Sequence, residues 1–520
     1  MIKTDELTTN VINNGRKTVT DTARITIRDR VIGRVAPELY GQFLSRRKWV
    51  ADEGLHDPGH PDADATGLRA GVVGAIEELQ PTVVRWPGGC TGTSYEWQQG
   101  VGPQAQRSRT VDWHFGYDVG NGFGTVEFVD FCRRVGAEPQ INVTTGTETL
   151  RDALNWLEYC NGAGDSQWAN LRRQHGRDEP LGVRYWQLGN EEWGDWEIGH
   201  LDPQSHAQRT REWAKAMRKL DPTLSVLGVG ALRADLAVDW NLPLLRAAWG
   251  QLDFLTQHVY WPFDPAAEDG DYSRVLSGPY NTESMITAVA GLIDLVAAEK
   301  GGGAAPRLAF TEWNCVDSSR KEMSPRWRPT NTMYRLVDAL AVASFLNVMQ
   351  RHSDVVGLAN FAQTINVVGA LLVTDDAVVR ESVYWPLQMQ RQHSGGWAIA
   401  ADVSGPEVAG EAPDGAEIGI PALDVSVTAD PDRLWVSMIN RSREELAARL
   451  ELGGMVTGER VTRHLLHHED PLAKNTVADP DAVRPRTDTM ALPADQAVTV
   501  PPNSYLIIEM PVDRPLVALR

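Results

Sequence analysis

The sequence predicts an α/β fold class, a TIM-type (β/α)8 barrel with a C-terminal all-β, jelly-roll-like sandwich, and three observations carry that expectation. Eight short apolar runs follow one another, most separated by helix-length amphipathic segments, and eight parallel strands are what close such a barrel. Two of these runs end in a glutamate with Asn and Trp beside it, at Asn190-Glu191 and at Thr311-Glu312-Trp313-Asn314, and barrels carry their chemistry at strand C-termini. Past about Val383 the texture changes to short β-rich segments punctuated by Pro, Asp and Gly.

Taken in order, residues 1–22 are polar, rich in Thr and Asn and without period, which predicts a loosely ordered tail. Ala23–Arg28 alternates as a half-exposed strand does; no barrel helix follows it, so residues 23–34 are assigned to the sandwich. Residues 35–382 make the barrel, with strands at Leu39–Phe43, Thr82–Trp86, Gln140–Thr144, Val183–Gly189, Ser225–Val229, Phe254–Tyr260, Arg307–Trp313 and Val356–Ala362. Between them lie amphipathic stretches at Ala70–Leu79, Gly124–Val135, Leu150–Tyr159, His206–Leu220, Met285–Glu299 and Thr330–Gln350. On this count Glu191 ends the fourth strand and Glu312 the seventh. Residues 383–520 form the sandwich, with strands such as Leu423–Thr428, Arg433–Ile439, Ala447–Leu452 and Ala497–Met510; without a low-complexity linker the two parts are expected to pack rigidly. His464, His467 and His468, with Glu469 and Asp470, read as a solvated turn, and no metal site is expected. Gly301-Gly302-Gly303 lacks the lysine and following helix of a phosphate cradle.

The 520 residues bury an ample core without staples. Against 69 acidic residues stand 50 basic ones, a net charge of −19 that argues against nucleic acid or an anionic membrane as partner. Cys90, Cys132, Cys160 and Cys315 are widely spaced and form no C-x-x-C pair, so they are read as reduced. The N-terminus has neither the basic start nor the apolar core of a signal peptide, and no run is long enough to span a bilayer, so a cytoplasmic location is expected. With no G-x-G-x-x-G after an early strand, a nucleotide-binding oxidoreductase is disfavoured and no cofactor is implied. The 18 tryptophans suit sugar stacking and core packing equally.

Two strand-end carboxylates are what glycosidic cleavage needs, one to protonate the leaving oxygen and one to attack or to activate water. Four motifs then stand in register: Arg85-Trp86-Pro87-Gly88-Gly89-Cys90, Leu188-Gly189-Asn190-Glu191, Phe310-Thr311-Glu312-Trp313-Asn314 and Asn360-Phe361-Ala362-Gln363-Thr364-Ile365-Asn366. Together they resemble glycoside hydrolase family 51, the α-L-arabinofuranosidases, from about Ile27 to the C-terminus. The resemblance implies an exo-acting, retaining hydrolase of a carbohydrate substrate, with Glu191 as acid/base and Glu312 as nucleophile. It places Cys90, Trp113, Asn121 and Gln363 near the furanose or the leaving group. It also implies a homo-oligomer, a trimer or hexamer.

Physical chemistry adds expectations of its own. Double displacement needs carboxylates ~5 Å apart, against ~6.5–9.5 Å for inversion. Arg85 is the cation suited to keep Glu312 charged. Tyr260 donates to the nucleophile or the ring oxygen, and Asn190 binds a sugar hydroxyl. His258 reads equally as a substrate neighbour and as a core histidine, while Glu192 and Asp195 shape the loop. One departure stands out: where the resembled family usually has a glutamate and a histidine after strand one, this chain has Ser45 and Arg46, and the segment Arg46–Asp64 is unlike the usual loop. The glycone therefore stays open between an arabinofuranoside and another furanoside such as β-D-galactofuranoside. A catalytically inactive carbohydrate-binding barrel is the remaining alternative, against which the intact Glu191 and Glu312 argue.

Overall fold

The computed structural model of the protein describes residues 22–267, 269–319, 329, 332–453 and 460–512. The expected tail, apart from Thr22, and the start of the stretch expected at Thr330 lie outside them. Eight parallel strands close a barrel: β1 (Gly41–Phe43), β2 (Val83–Trp86), β3 (Glu138–Val143), β4 (Tyr185–Leu188), β5 (Ser225–Val229), β6 (Phe254–Phe263), β7 (Arg307–Asp317) and β8 (Val356–Ala362), each paired with its neighbours in sequence and β8 with β1. The strands read as unbroken apolar runs because helices cover them outside and side chains fill them inside; every residue of β2, β4, β5 and β8 is buried.

Period-two alternation decides which side chains enter the barrel. Val83, Tyr185, Leu227, Ala309 and Leu358 form one interior layer. Two residues further along each strand, the same face presents Arg85, Gln187 and Thr311. Strict alternation would turn Glu312 outward. The pairing of β7 with β6 slips between Phe310 and Glu312, so that Gln257 faces Phe310 and His258 faces Glu312, and such a bulge re-aims a side chain. Outside the barrel, Trp86 stacks on Phe128 and Trp97 on Trp156. Trp86, Trp97, Trp156, Trp186 and Trp313 are fully buried, so for these five core packing is the answer.

The C-terminal part is built on a nine-stranded sheet in which the N-terminal strand Thr22–Arg34 lies between Trp397–Ser404, antiparallel, and Leu446–Glu451, parallel. Val461, near one end of the sheet, shares an apolar cluster with Val498 and Val500 at the other, so the sheet is curled on itself. The other face of its central strands, with Trp435, Ile439, Tyr505 and Ile507, joins the barrel core.

Several elements differ from expectation. Tyr384–Gln392, expected to be β-rich, is a helix whose Tyr384 hydroxyl donates to the Ala75 carbonyl at 2.8 Å; its cluster of aromatic residues and proline hides a helical period. The helix expected from Met285 starts at Tyr272 and runs to Lys300, through Ser277-Gly278-Pro279, a turn signal in isolation. Gly278 is required there because a Cβ would stand 2.3 Å from Trp261. The short helices Gln167–Gln174 and Ala237–Ala248 had no clear apolar stripe to announce them. The solvated turn expected at His464 is corrected: Arg460–His467 is a strand, and His464 is buried and stacked on His393 with centroids 3.5 Å apart. Pairing with Ser504–Pro511 and Arg486–Ala491 overrides the local polarity. Among the described residues no helix is long and apolar enough to cross a membrane.

An ion network ties the two parts together. Arg351, at the end of helix Leu336–Arg351, meets Glu283 at 2.8 Å and Asp424 of the curled sheet at 2.9 Å. Burial raises the Glu283 carboxyl, yet hydrogen bonds from His352 and Arg351 outweigh it and hold the group down at about 2. A depressed carboxylate contributes stability above its unfolded value of about 4.3 and loses it as pH falls through the folded one. Arg351→Met should lower unfolding free energy at pH 7 by about 3 kcal/mol, because it strands a largely buried carboxylate, and should remove part of the acid-induced loss between about pH 4 and 2. Denaturant unfolding at both pH values checks this.

Candidate active site

The bulge in β7 delivers Glu312 into the top of the barrel beside Arg85 from β2. Arg85 is wholly buried; its Nη1 donates to Glu312 Oε1 at 2.7 Å and its Nη2 to Asn190 Oδ1 at 2.8 Å. The Tyr260 hydroxyl, from β6, donates to Glu312 Oε2 at 2.7 Å. Burial alone would push the Glu312 carboxyl up, but the neighbouring His258 imidazole, the Arg85 guanidinium and the hydrogen bonds from Arg85 and Tyr260 outweigh it and hold the group below the ordinary carboxylate range. The Tyr260 phenol moves the other way, well up, through burial and the neighbouring Glu312.

Glu191 stands across from Glu312. It follows Gly189, at φ 90°, and itself has φ 47°, a left-handed conformation that non-glycine residues keep mainly where surroundings enforce it and function uses it. Its Oε1 is hydrogen-bonded to His258 Nδ1 at 2.7 Å, its Oε2 accepts from Trp196 Nε1 at 3.3 Å, and His258 Nε2 is hydrogen-bonded to Thr311 Oγ1 at 3.0 Å. An oxygen of Glu191 and one of Glu312 lie within 4.8 Å of each other. Gly89 lets the backbone pass close: a Cβ there would meet Glu312 Oε1 at 2.5 Å. Both carboxylates open into one cavity of about 610 Å³, with Arg47, His114, Phe115, Trp193, Trp196 and Arg233 at its wall.

Of the residues singled out in the sequence, Glu191, Glu312, Tyr260, Cys90 and Gln363 line this cavity, Arg85 and His258 hold the carboxylates from behind or beside them, and Asn190 is hydrogen-bonded to Arg85. Ser45, one of the two departures noted in the sequence, lines it too and donates to Gln363 Oε1 at 2.7 Å. Asn121 is buried away from the cavity, donating to the Ser108 carbonyl at 2.7 Å and accepting at 3.2 Å from Arg46, the other departure, which it anchors. Trp113 does not line the cavity: it is 64% exposed, and its neighbours His114 and Phe115 face the space instead. The cause is a tight turn in which Asp112 accepts from the amides of both His114 and Phe115 at 3.0 Å, rotating Trp113 outward. Glu192 is buried against Arg209 at 2.9 Å and braces the loop.

A third carboxyl group escaped the sequence reading. Glu197 is buried, and Asn190 Nδ2 donates to its Oε2 at 3.3 Å while the Cys90 thiol and the Thr93 hydroxyl lie against it. Burial, aided by the charge of Glu191, pushes it up to about 7 against the lowering effect of those three donors. No local signal marks it, since it lies six residues past Glu191 in a loop whose path only the fold defines. Donor atoms of Cys90, His114 and Glu197 gather within 4.8 Å, a spacing that a metal could draw in. Burial and the charges of Glu191 and Glu197 raise the Cys90 thiol well above its ordinary value, which suits a hydrogen-bond donor toward Glu197.

Comparison with known proteins agrees with this geometry. Residues 75–269 match the family profile described as the α-L-arabinofuranosidase 1 domain, and residues 311–504 the α-L-arabinofuranosidase C-terminal domain. The chain is 34% identical to α-L-arabinofuranosidase C of Emericella nidulans, over 86% of this chain and 90% of that one. It is 29% identical to the intracellular exo-α-(1→5)-L-arabinofuranosidase 1 of Bacillus subtilis, over 85% and 89% of the two chains. The crystal structure of the Thermotoga maritima α-L-arabinofuranosidase, an arabinose complex, superposes with a TM-score of 0.84 at 29% identity over 94% of this chain and all of that one. A family 51 α-L-arabinofuranosidase from Bifidobacterium longum gives 0.86 at 28% identity, with the same coverage.

A carboxyl group raised on folding contributes stability that is complete below its unfolded value, about 4.3, and is lost as pH climbs through the folded value, here about 7. Glu197→Gln should therefore match the wild-type melting temperature near pH 4 and exceed it at pH 8. Thermal melts at both pH values check this.

Proposed function

Because this chain belongs to glycoside hydrolase family 51, the α-L-arabinofuranosidases, we propose that it removes non-reducing terminal α-L-arabinofuranosyl residues by a retaining double displacement, with Glu312 as nucleophile and Glu191 as acid/base. The observation that carries the mechanism is the approach of the two carboxylates to within 4.8 Å, too near to seat a water between them for direct inversion. In the first half-reaction Glu312, ionised and held by Arg85 and Tyr260, attacks the anomeric carbon while Glu191 gives its proton to the departing oxygen. Ester formation discharges Glu312. Glu191, now ionised, takes a proton from water, and the hydroxide equivalent releases the sugar with its configuration retained.

Around the sugar, Asn190 is held between Arg85 and Glu197, which fixes the direction of its amide toward a ring hydroxyl. Gln363 and Ser45 form the far wall. Because Ser45 is short and already committed to Gln363, the pocket loses a charged grip on the furanose and gains room, and this supports a second reading, cleavage of a β-D-galactofuranoside with its longer exocyclic tail. The name of the Bacillus relative supports an intracellular, cytoplasmic setting, and the family resemblance supports a homo-oligomer, a trimer or hexamer.

Hydrolysis of aryl α-L-arabinofuranoside, β-D-galactofuranoside, β-D-xyloside and α-L-arabinopyranoside, with the product anomer followed by NMR, should show preference for the arabinofuranoside and retention. An inverted first product would sink the mechanism; preference for the galactofuranoside would keep it and move the substrate. Glu312→Ala should lose about 10³-fold or more in kcat. Since activity needs Glu312 ionised and falls as pH drops through its folded value, Arg85→Met should move the acid limb of kcat/KM to higher pH, which a pH–rate profile between about pH 3 and 7 would register.

A further inference from the structure

Among the described residues, three groups of histidine, cysteine and carboxylate side chains gather closely enough to hold a metal ion. Two belong to the catalytic centre: Glu191, His258 and Glu312 are engaged with one another and with Arg85 and Tyr260, and the Cys90 thiol lies against Glu197. The third, His393 with His464 and Glu509, stands apart, and none of its members lines the catalytic cavity. His393 ends helix Tyr384–Gln392, its amide donating to the Met389 carbonyl at 2.8 Å, and that helix is held on the barrel by the Tyr384 hydroxyl. His464 and Glu509 come from paired strands of the curled sheet, Arg460–His467 and Ser504–Pro511. In that pairing Thr462 faces Glu509 and His464 faces Ile507, so alternation makes His464 and Glu509 diagonal neighbours on the face turned to the barrel.

The polar atoms of this group are incompletely satisfied. His464 is 5% exposed; its Nδ1 is hydrogen-bonded to Thr487 Oγ1 at 2.9 Å, but its Nε2 is buried with no hydrogen-bond partner among the described residues. A buried polar atom left unpaired costs free energy that a ligand recovers. That nitrogen stands 3.8 Å from Glu509 Oε2, too far for a hydrogen bond. Two bonds of about 2.0–2.1 Å to one zinc ion span up to about 4 Å, so the gap fits a shared cation. The His393 ring lies on the His464 ring with centroids 3.5 Å apart and planes 13° apart, and a small tilt of the half-buried His393 brings both in-plane lone pairs onto one ion.

Outer contacts fix the donors in the way a metal site needs. With the Nδ1 proton of His464 donated to Thr487, the lone pair stands on Nε2, on the side of Glu509. Arg433 engages Glu509 Oε1 and leaves Oε2 to His464. His393 and Glu509 are only half-buried, which leaves an entry path. Two imidazoles and a carboxylate are a donor set that zinc accepts with water as fourth ligand, whereas Ca²⁺ and Mg²⁺ prefer oxygen alone. We propose that His393, His464 and Glu509 bind one divalent transition-metal ion, of which Zn²⁺ fits the donors best, and that the ion ties the barrel helix Tyr384–Gln392 to the curled sheet. The role is a structural staple, separate from hydrolysis.

The test titrates Zn²⁺ by calorimetry into the full chain, freed of metal by dialysis against a chelator, for wild type, His393→Ala and Glu509→Gln, and repeats the titration with Co²⁺ to read its absorption spectrum. Wild type should bind one Zn²⁺ at this site with a Kd of about 10 μM or below, and should melt about 2 °C higher at a hundredfold excess over Kd. Each substitution should weaken that binding by about tenfold or more and remove the thermal shift. Both residues are partly exposed, so both variants should fold, and their kcat/KM on an aryl α-L-arabinofuranoside should stay within about twofold of wild type. Bound Co²⁺ should show the visible bands of nitrogen and oxygen ligands and no thiolate charge-transfer band in the near ultraviolet. Wild type that takes up no Zn²⁺, or binding that survives both substitutions, overturns the site. So does a cobalt spectrum with a thiolate band and loss of hydrolysis on binding, which would put the ion at Cys90, His114 and Glu197 instead.

Discussion

The catalytic centre depends on one buried ion pair, Arg85 with Glu312. A guanidinium taken wholly out of water costs several kcal/mol unless its donors are met, and here two of its donors are spent on Glu312 and Asn190 while its face lies on the Phe43 ring at 4.5 Å. The surrounding elements lower that cost. Strand β2 aims the arginine inward by simple alternation, the slip in β7 turns the glutamate to meet it, and Gly89 leaves the space in which they approach. The pair in turn fixes the direction of Asn190, and through it the loop that carries Glu191.

Around that pair three carboxyl groups live in different electrostatic settings. Glu312 is surrounded by donors and positive charge, and stays ionised in spite of burial. Glu197 is buried among neutral donors beside a like charge and rises to about 7. Environments that push neighbouring titrating groups apart are how one site keeps an acid and a base at the same pH. Glu191 stands across from Glu312, hydrogen-bonded to His258, which also touches Thr311 next to the nucleophile.

Much of this was legible in the sequence, because it follows from local rules. Short apolar runs announce the strands that carry Arg85, Glu191, Tyr260 and Glu312, but not that β6 and β7 continue past Tyr260 and Glu312 to Phe263 and Asp317. Glu312 therefore sits within its strand rather than at the expected tip and needs the slip in β7 to turn inward. What escaped depends on packing between distant segments. Trp113 was misplaced because a turn stabilised by Asp112 decides which of three successive side chains faces inward. Glu197 and the Ser45–Gln363 contact are set by loops that meet only in the folded chain. The helix Tyr384–Gln392 and the buried His464 follow their neighbours rather than their own polarity.

The central claim is that Glu312 forms a bond to the sugar while Glu191 only moves protons. It is tested most directly by mixing Glu191→Ala with an aryl α-L-arabinofuranoside bearing a good leaving group, quenching the reaction in acid and mapping the digest by mass spectrometry. Removal of the acid/base spares formation of the intermediate and starves its hydrolysis, so the predicted result is an arabinosyl ester on the peptide that contains Glu312. A burst of aryl alcohol with no adduct, accompanied by free sugar of inverted configuration, would contradict it.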